Sequence, residues 1–325
     1  MSLHLVSLTP AQSLGIPVAL VGSVFLAVGA QLQQRGVSKV DAAHGAGRRG
    51  GLGLGQLVAL IRRPSWLLGT LCLGLAILLQ LFSLYLAPLT VVQPLGALAL
   101  VITAVINARV TKVRLDGRSI RAMALCVVGV GLFVAVAAAT TTTLPILQPQ
   151  LIAVTIILAV ILALLGVVFV VLRKRLSRIF YVVAAGILFG FVATLAKVLI
   201  GRIQTIVEAH FQLAPADWLT IVCLIGLLAA AFLGTYFVQI AYSSGSPDVV
   251  VAGLTVIDPI VGVTIGIVVL GEAAGAPLWA GIVFVVAGVL AVFGVILVSR
   301  SGARLHTGEA DPALKHPATP SAGAP

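Results

Sequence analysis

The sequence predicts an all-α polytopic membrane protein with nine transmembrane helices, in which spans 1–4 recur in inverted orientation as spans 6–9. Three observations carry this. The chain is 60% hydrophobic and 9% charged with a mean hydropathy of +1.20, whereas soluble chains run about 25% charged. Nine apolar blocks are each long enough to cross a hydrocarbon layer of about 30 Å. Lys and Arg gather in alternate connections, as expected when basic loops stay on the cytoplasmic side. The net charge of +11 would otherwise point to nucleic acid. The basic residues lie between apolar blocks and not on one soluble face, so a nucleic-acid partner is not expected.

The blocks run 14–34, 65–86, 88–107, 122–140, 150–172, 180–200, 218–241, 249–270 and 277–298. Helix is the expected form because lipid satisfies no free backbone groups. The tightest connection is Leu86–Pro88. The organisation follows from the blocks: 1–13 an extracytoplasmic N-terminus, 14–140 a first repeat, 141–179 a linking span five, 180–298 a second repeat. Residues 299–325 are rich in Pro and Ala and are expected to be a disordered cytoplasmic tail. No cleavable signal is expected, since the first ten residues carry no Lys or Arg and the first block is long enough to span.

Topology comes from charge. The first loop holds six basic residues (Arg35, Lys39, Arg48, Arg49, Arg62, Arg63) and the third-to-fourth five (Arg109, Lys112, Arg114, Arg118, Arg121). The fifth-to-sixth holds four (Arg173, Lys174, Arg175, Arg178) and the tail three (Arg300, Arg304, Lys315). Those 18 of 20 fall on one side only if the chain has nine spans, with the N-terminus outside and the C-terminus in the cytoplasm of a cell membrane. The outer connections carry Glu208, Asp217 and Glu272. The Gly-rich stretch around Arg48–Gly55 lacks the Gly-Lys-Ser/Thr ending of a phosphate loop and reads as a linker. With no ATP-binding loop and no cofactor motif, any transport would be gradient-driven.

The repeat shows at matched places. Span three contains Gln93-Pro94-Leu95-Gly96 and span eight Asp258-Pro259-Ile260-Val261-Gly262; spans one and six share Gly22/Phe25 and Gly186/Phe189. This is an inverted duplication of the kind found in secondary transporters. An enzyme is not expected, because no nucleophile elbow, His-Glu-x-x-His or paired-Asp motif lies on a span. Cys72, Cys126 and Cys223 fall in apolar blocks without metal spacing, and the five histidines are scattered, so no metal centre is expected.

With these features in place, the layout resembles the drug/metabolite transporter superfamily of EamA-type permeases. The segment Ala87-Pro88-Leu89-Thr90-Val91-Val92-Gln93-Pro94-Leu95-Gly96-Ala97-Leu98 is similar to the NIPA branch, which has nine spans and moves magnesium and other divalent cations. Gly190-Phe191-Val192-Ala193-Thr194-Leu195-Ala196-Lys197 is similar to that branch's sixth span with its lysine. The resemblance covers residues 14–298. Where that branch carries Thr before each of the two prolines, this chain has Gln93 and Asp258. The expected function is therefore gradient-driven transport of a small metabolite, with magnesium or another divalent cation as the alternative.

Asp258 is the leading candidate site residue. It lies nine residues into its span, about 13 Å from Val249 at 1.5 Å per residue, where a charge costs at least about 2.5–3.5 kcal/mol unless it finds a cavity or a partner. Pro259 removes a backbone donor and frees the carbonyl near Thr255. Asp258 reads either as a helix cap or as a cation, proton or amine site. Gln93 is its neutral counterpart beside Pro94, and both prolines are expected to break their helices around one central cavity. Gln80 and Gln239 either line that cavity or join helices. Lys197 reads as snorkelling to the outer interface, with pairing to Asp258 or a substrate anion as the other reading. Gly186/Gly190 and Gly262/Gly266 fit internal packing or a homodimer interface. The low number of intramembrane carboxylates weighs against a magnesium carrier, which favours several converging oxygens.

Overall fold

The computed structural model describes residues 10–44, 62–111, 116–172, 176–208, 218–243 and 247–307. Among them lie nine helical stretches long and apolar enough to cross a membrane, each overlapping an expected block. The described elements are α1 (Pro10–His44), α2 (Pro64–Leu86), α3 (Leu89–Gly96), α4 (Leu98–Thr111), α5 (Gly117–Thr140), α6 (Gln148–Leu172), α7 (Arg178–Glu208), α8 (Trp218–Ser243), α9 (Pro247–Val268) and α10 (Leu278–Thr307). Span three, Leu89–Val110, comprises α3 and α4, joined through the single helical turn residue Ala97 (φ −64°, ψ −24°).

The ends of these helices follow local chemistry. α2 begins on Pro64, whose missing N–H is an orphan at a helix start anyway. It stops at Ala87 (φ −132°, ψ 159°) because the residue before a proline is pushed out of the α region. Asp116 caps α5 by accepting from the Ser119 amide at 2.9 Å. Gly271, at φ +72°, makes the turn after α9 that a side chain would strain. Two expectations need correction. The tail is helical through Thr307, since Val298 onward simply continues the last turn of α10; Asp217 and residues 308–325 lie outside the described set. Pro259 does not interrupt its span, for α9 runs unbroken from Pro247 to Val268. One proline removes a single ladder bond, and the packed turns on either side hold the rest.

Helix pairing respects the repeat. α1 packs along α2 and α7 along α8, while span three crosses span eight and α5 runs along α10. Exchanging spans 1–4 with spans 6–9 leaves this pattern unchanged. Phe133 and Phe284 stack at 4.8 Å across the α5–α10 seam. A cluster of Phe169, Phe180, Tyr181 and Phe237 joins α6, α7 and α8. Both glycine pairs pack internally: Gly186 and Gly190 receive Ile257 and Val261, and Gly262 receives Gln93.

The α5–α10 seam has no spare room. A Cβ on Gly129 would sit 2.5 Å from the Ala291 nitrogen, and one on Gly294 would collide with the Cys126 backbone. Backbone cannot move aside as a flexible side-chain tip can. Gly294→Leu is therefore expected to lower the detergent melting temperature by the equivalent of about 3 kcal/mol. Gly281→Leu, where a Cβ meets nothing, is expected to change it little. Equal melting of the two variants would contradict this packing.

Candidate functional site

A helix that stops inside a membrane exposes backbone groups that lipid cannot satisfy. The break between α2 and α3 does so at Ala87–Pro88. Pro88 has no N–H, so the Leu84 carbonyl loses its helical donor, and the Leu89 and Thr90 amides open α3 with no acceptor behind them. Two buried charges close these gaps. The Lys197 ammonium of α7, 4% exposed, donates to the Leu84 carbonyl at 2.6 Å and the Ala87 carbonyl at 2.9 Å. The Glu272 carboxylate, 3% exposed, accepts from the Leu89 amide through Oε1 at 2.7 Å; its Oε2 accepts from the Thr90 amide at 2.7 Å and hydroxyl at 2.6 Å. Lys197 thus takes the carbonyl end of α2 and Glu272 the amide end of α3, where the helix dipole favours a negative charge. Snorkelling and pairing with Asp258 are both corrected: the ammonium turns inward because the orphaned carbonyls lie there.

At the other end of α3, beyond Pro94, the helix tightens for one residue at Ala97 (φ −64°, ψ −24°) and runs on into α4. There the Ser23 hydroxyl of α1 donates to the Leu95 carbonyl at 3.0 Å. All residues from Leu89 to Leu95 are buried, including Gln93, which lies against Gly262 at 4% exposure.

Span eight presents the opposite case. Pro259 leaves the Thr255 carbonyl without its helical donor, and the Asp258 Oδ1 atom is buried with no hydrogen-bond partner among the described residues. The Asp258 backbone lies against the Gly186/Gly190 face of α7, its carbonyl 3.0 Å from where a Gly190 Cβ would be. Beside it lies an open cavity of about 600 Å³ between α3, α5, α9 and α10, several of whose walls, among them Val268, Val285 and Phe293, are exposed on the outer face of the bundle. Pro94, Pro259, Thr255, Thr264, Phe133 and Phe284 are among its walls. Both prolines thus meet one cavity, and its lining is almost wholly apolar. The Thr255 hydroxyl donates to the Val251 carbonyl at 2.8 Å.

A family profile described as Magnesium transporter NIPA matches residues 11–302, nearly the whole bundle, Asp258, Lys197 and Glu272 included. The chain belongs to the magnesium transporter NIPA family. It is a multi-pass membrane protein of a transporter family that sits within the EamA-related drug/metabolite superfamily. It is also 28% identical over 256 residues to an uncharacterized protein of Corynebacterium glutamicum, covering 78% of this chain and 85% of that one. No solved structure matches.

Within this NIPA-family bundle the expected site residues divide. Asp258, Thr255, Pro94, Pro259 and Gln93 collect where span three crosses span eight. Lys197 joins the α2–α3 break instead. Gln80 is half-buried on α2, its backbone packed near Gly22 of α1, and Gln239 is exposed on α8; neither lines the cavity. Their places near span ends were legible, but which way each faced was not. No group of three metal-ligating side chains occurs among the described residues. Glu272 was read only as an outer-loop acid. Its apolar setting, Leu270-Gly271-Glu272-Ala273-Ala274, is the signal that marks it as buried.

Proposed function

We propose that the protein carries a divalent cation, magnesium foremost, down its gradient through a site at Asp258. The observation behind this is the unpartnered Asp258 Oδ1. A buried charged oxygen without a partner is costly, and this chain satisfies comparable atoms at the α2–α3 break with dedicated charges. Asp258 receives none, which fits a partner that comes and goes. Magnesium takes oxygen ligands and gives up its waters reluctantly. A single carboxylate and the freed Thr255 carbonyl would then hold an ion that keeps much of its hydration. The family's printed description agrees with that cargo.

A small metabolite is the second reading, favoured by the size and apolar lining of the cavity. Liposomes holding the purified protein and a magnesium-sensitive dye separate the two. The cation reading expects saturable, protein-dependent magnesium entry. Magnesium flux no faster than in protein-free vesicles, alongside protein-dependent uptake of a metabolite panel, would favour the second.

The proposed setting is the cytoplasmic membrane with the N-terminus outside and the C-terminus inside. It rests on the one-sided Lys and Arg. Reporter fusions after Gly117, Thr143 and Ala303 are expected to read inside, outside and inside; an outside reading at Ala303 would overturn the orientation.

A further inference from the structure

The charges at the α2–α3 break do more than the backbone requires, because both come from the second half of the chain and grip the first. Between them lies α3, eight residues long, with an extended link at Ala87–Pro88 at its start and a single helical turn residue, Ala97, joining it to α4. A Cβ on Gly96 would meet nothing within 4 Å, so space adjoins its inner end. The loop holding Glu272 is itself anchored: its carbonyl accepts from the Thr142 amide at 2.9 Å, and the Gln150 side chain donates to the Leu270 carbonyl at 2.9 Å. Gly266 makes the room, since a Cβ there would lie 2.9 Å from both the Glu272 carboxylate and the Thr90 hydroxyl.

The repeat supplies the comparison. Registering Gly22 with Gly186 sets Gln33 opposite Lys197. Gln33 makes one neutral bond, donating to the Thr70 hydroxyl at 3.0 Å in an exposed setting. The α2–α3 break is therefore held by two buried charges and five short bonds, whereas the repeat partner of Lys197 is a neutral side chain. Charge-assisted bonds are roughly twice as strong as neutral ones.

We propose that Glu272 and Lys197 form a releasable clamp on α3, the start of span three, which swings about the extended Ala87–Pro88 link, and that releasing the clamp opens the adjoining end of the transport path. Glu272 and Lys197 are then positioning residues that act through α3 and touch no cargo. The inference is independent of what the cargo is.

Thiol labelling tests it. In a Cys72→Ala background, Thr90→Cys places a thiol directly under the clamp, exchanging one of its five bonds for a weaker thiol donor and keeping the other four, while Cys126 and Cys223, both fully buried, report on the rest of the fold. In liposomes, a water-soluble maleimide is expected to label the Thr90→Cys thiol slowly and the other two not at all. Adding Glu272→Gln or Lys197→Gln is expected to speed labelling at Thr90→Cys on the order of tenfold with Cys126 still silent; Lys197→Arg, which keeps charge and donors, stays near the parent. An unchanged rate at Thr90→Cys, or a parallel rise at Cys126, overturns the clamp. If the Gln variants fail to reach the membrane, the Thr90→Cys protein alone decides: labelling over hours with Cys126 silent supports release, and none beyond Cys126 overturns it.

Discussion

Asp258→Asn is expected to give a protein that folds, reaches the membrane and carries almost no cation. Asn has nearly the shape of Asp, so the packing of α9 on Gly186 and Gly190 is kept. A neutral amide costs less to bury than a carboxylate without a partner, so the melting temperature should hold or rise. The loss falls on binding. A charge-assisted contact contributes about 1.5–3 kcal/mol, which converts to a ten- to hundredfold fall in flux at low magnesium. Initial rates in liposomes, normalised to inserted protein, check this. Wild-type flux from Asp258→Asn would mean that the carboxylate only caps a proline-containing helix.

Glu272→Ala is expected to fail at the earlier stage of folding. The carboxylate satisfies the Leu89 amide, the Thr90 amide and the Thr90 hydroxyl, and its charge lies within electrostatic reach of Lys197. Removing it strands those donors and leaves a buried ammonium without its counter-charge. Leaving buried donors unsatisfied costs about 1–3 kcal/mol each, together a large share of the roughly 5–15 kcal/mol that holds a typical protein folded. Yield should fall sharply and any recovered protein should melt much lower. Because the two residues serve one break, Glu272→Ala with Lys197→Met should cost less than the two losses added together. Strict additivity in a double-mutant cycle would show that the charges act independently.

How much of this was legible in the sequence depended on whether the partner of a residue could be inferred. The nine spans were plain because length and hydropathy alone decide whether a segment tolerates lipid. The crossing of spans three and eight was legible too, since Gln93-Pro94 and Asp258-Pro259 stand at matched places. Lys197 was misread because its partners are the backbone carbonyls of Leu84 and Ala87, 113 and 110 residues away, and no side-chain pattern announces a carbonyl. The one available clue was Pro88, which orphans the Leu84 carbonyl and so demands a donor from elsewhere. The two prolines looked like helix breaks, yet Pro94 and Pro259 both lie inside helices; the break in the first half falls at Ala87–Pro88, between spans two and three. Gly262 and Gly266 fitted either of two roles until the side chains of Gln93, Thr90 and Glu272 were seen to occupy the space they leave.

The most direct measurement of the central claim is magnesium-dependent thermal stabilisation of the purified protein, wild type against Asp258→Asn. A ligand that binds only the folded state at about a hundred times its dissociation constant stabilises by about 2.7 kcal/mol. If magnesium sits at Asp258, the wild type should melt several degrees higher in saturating magnesium than in sodium salt of equal ionic strength, and Asp258→Asn should melt at the same temperature in both. An equal rise in the two proteins would place the ion elsewhere and contradict the account.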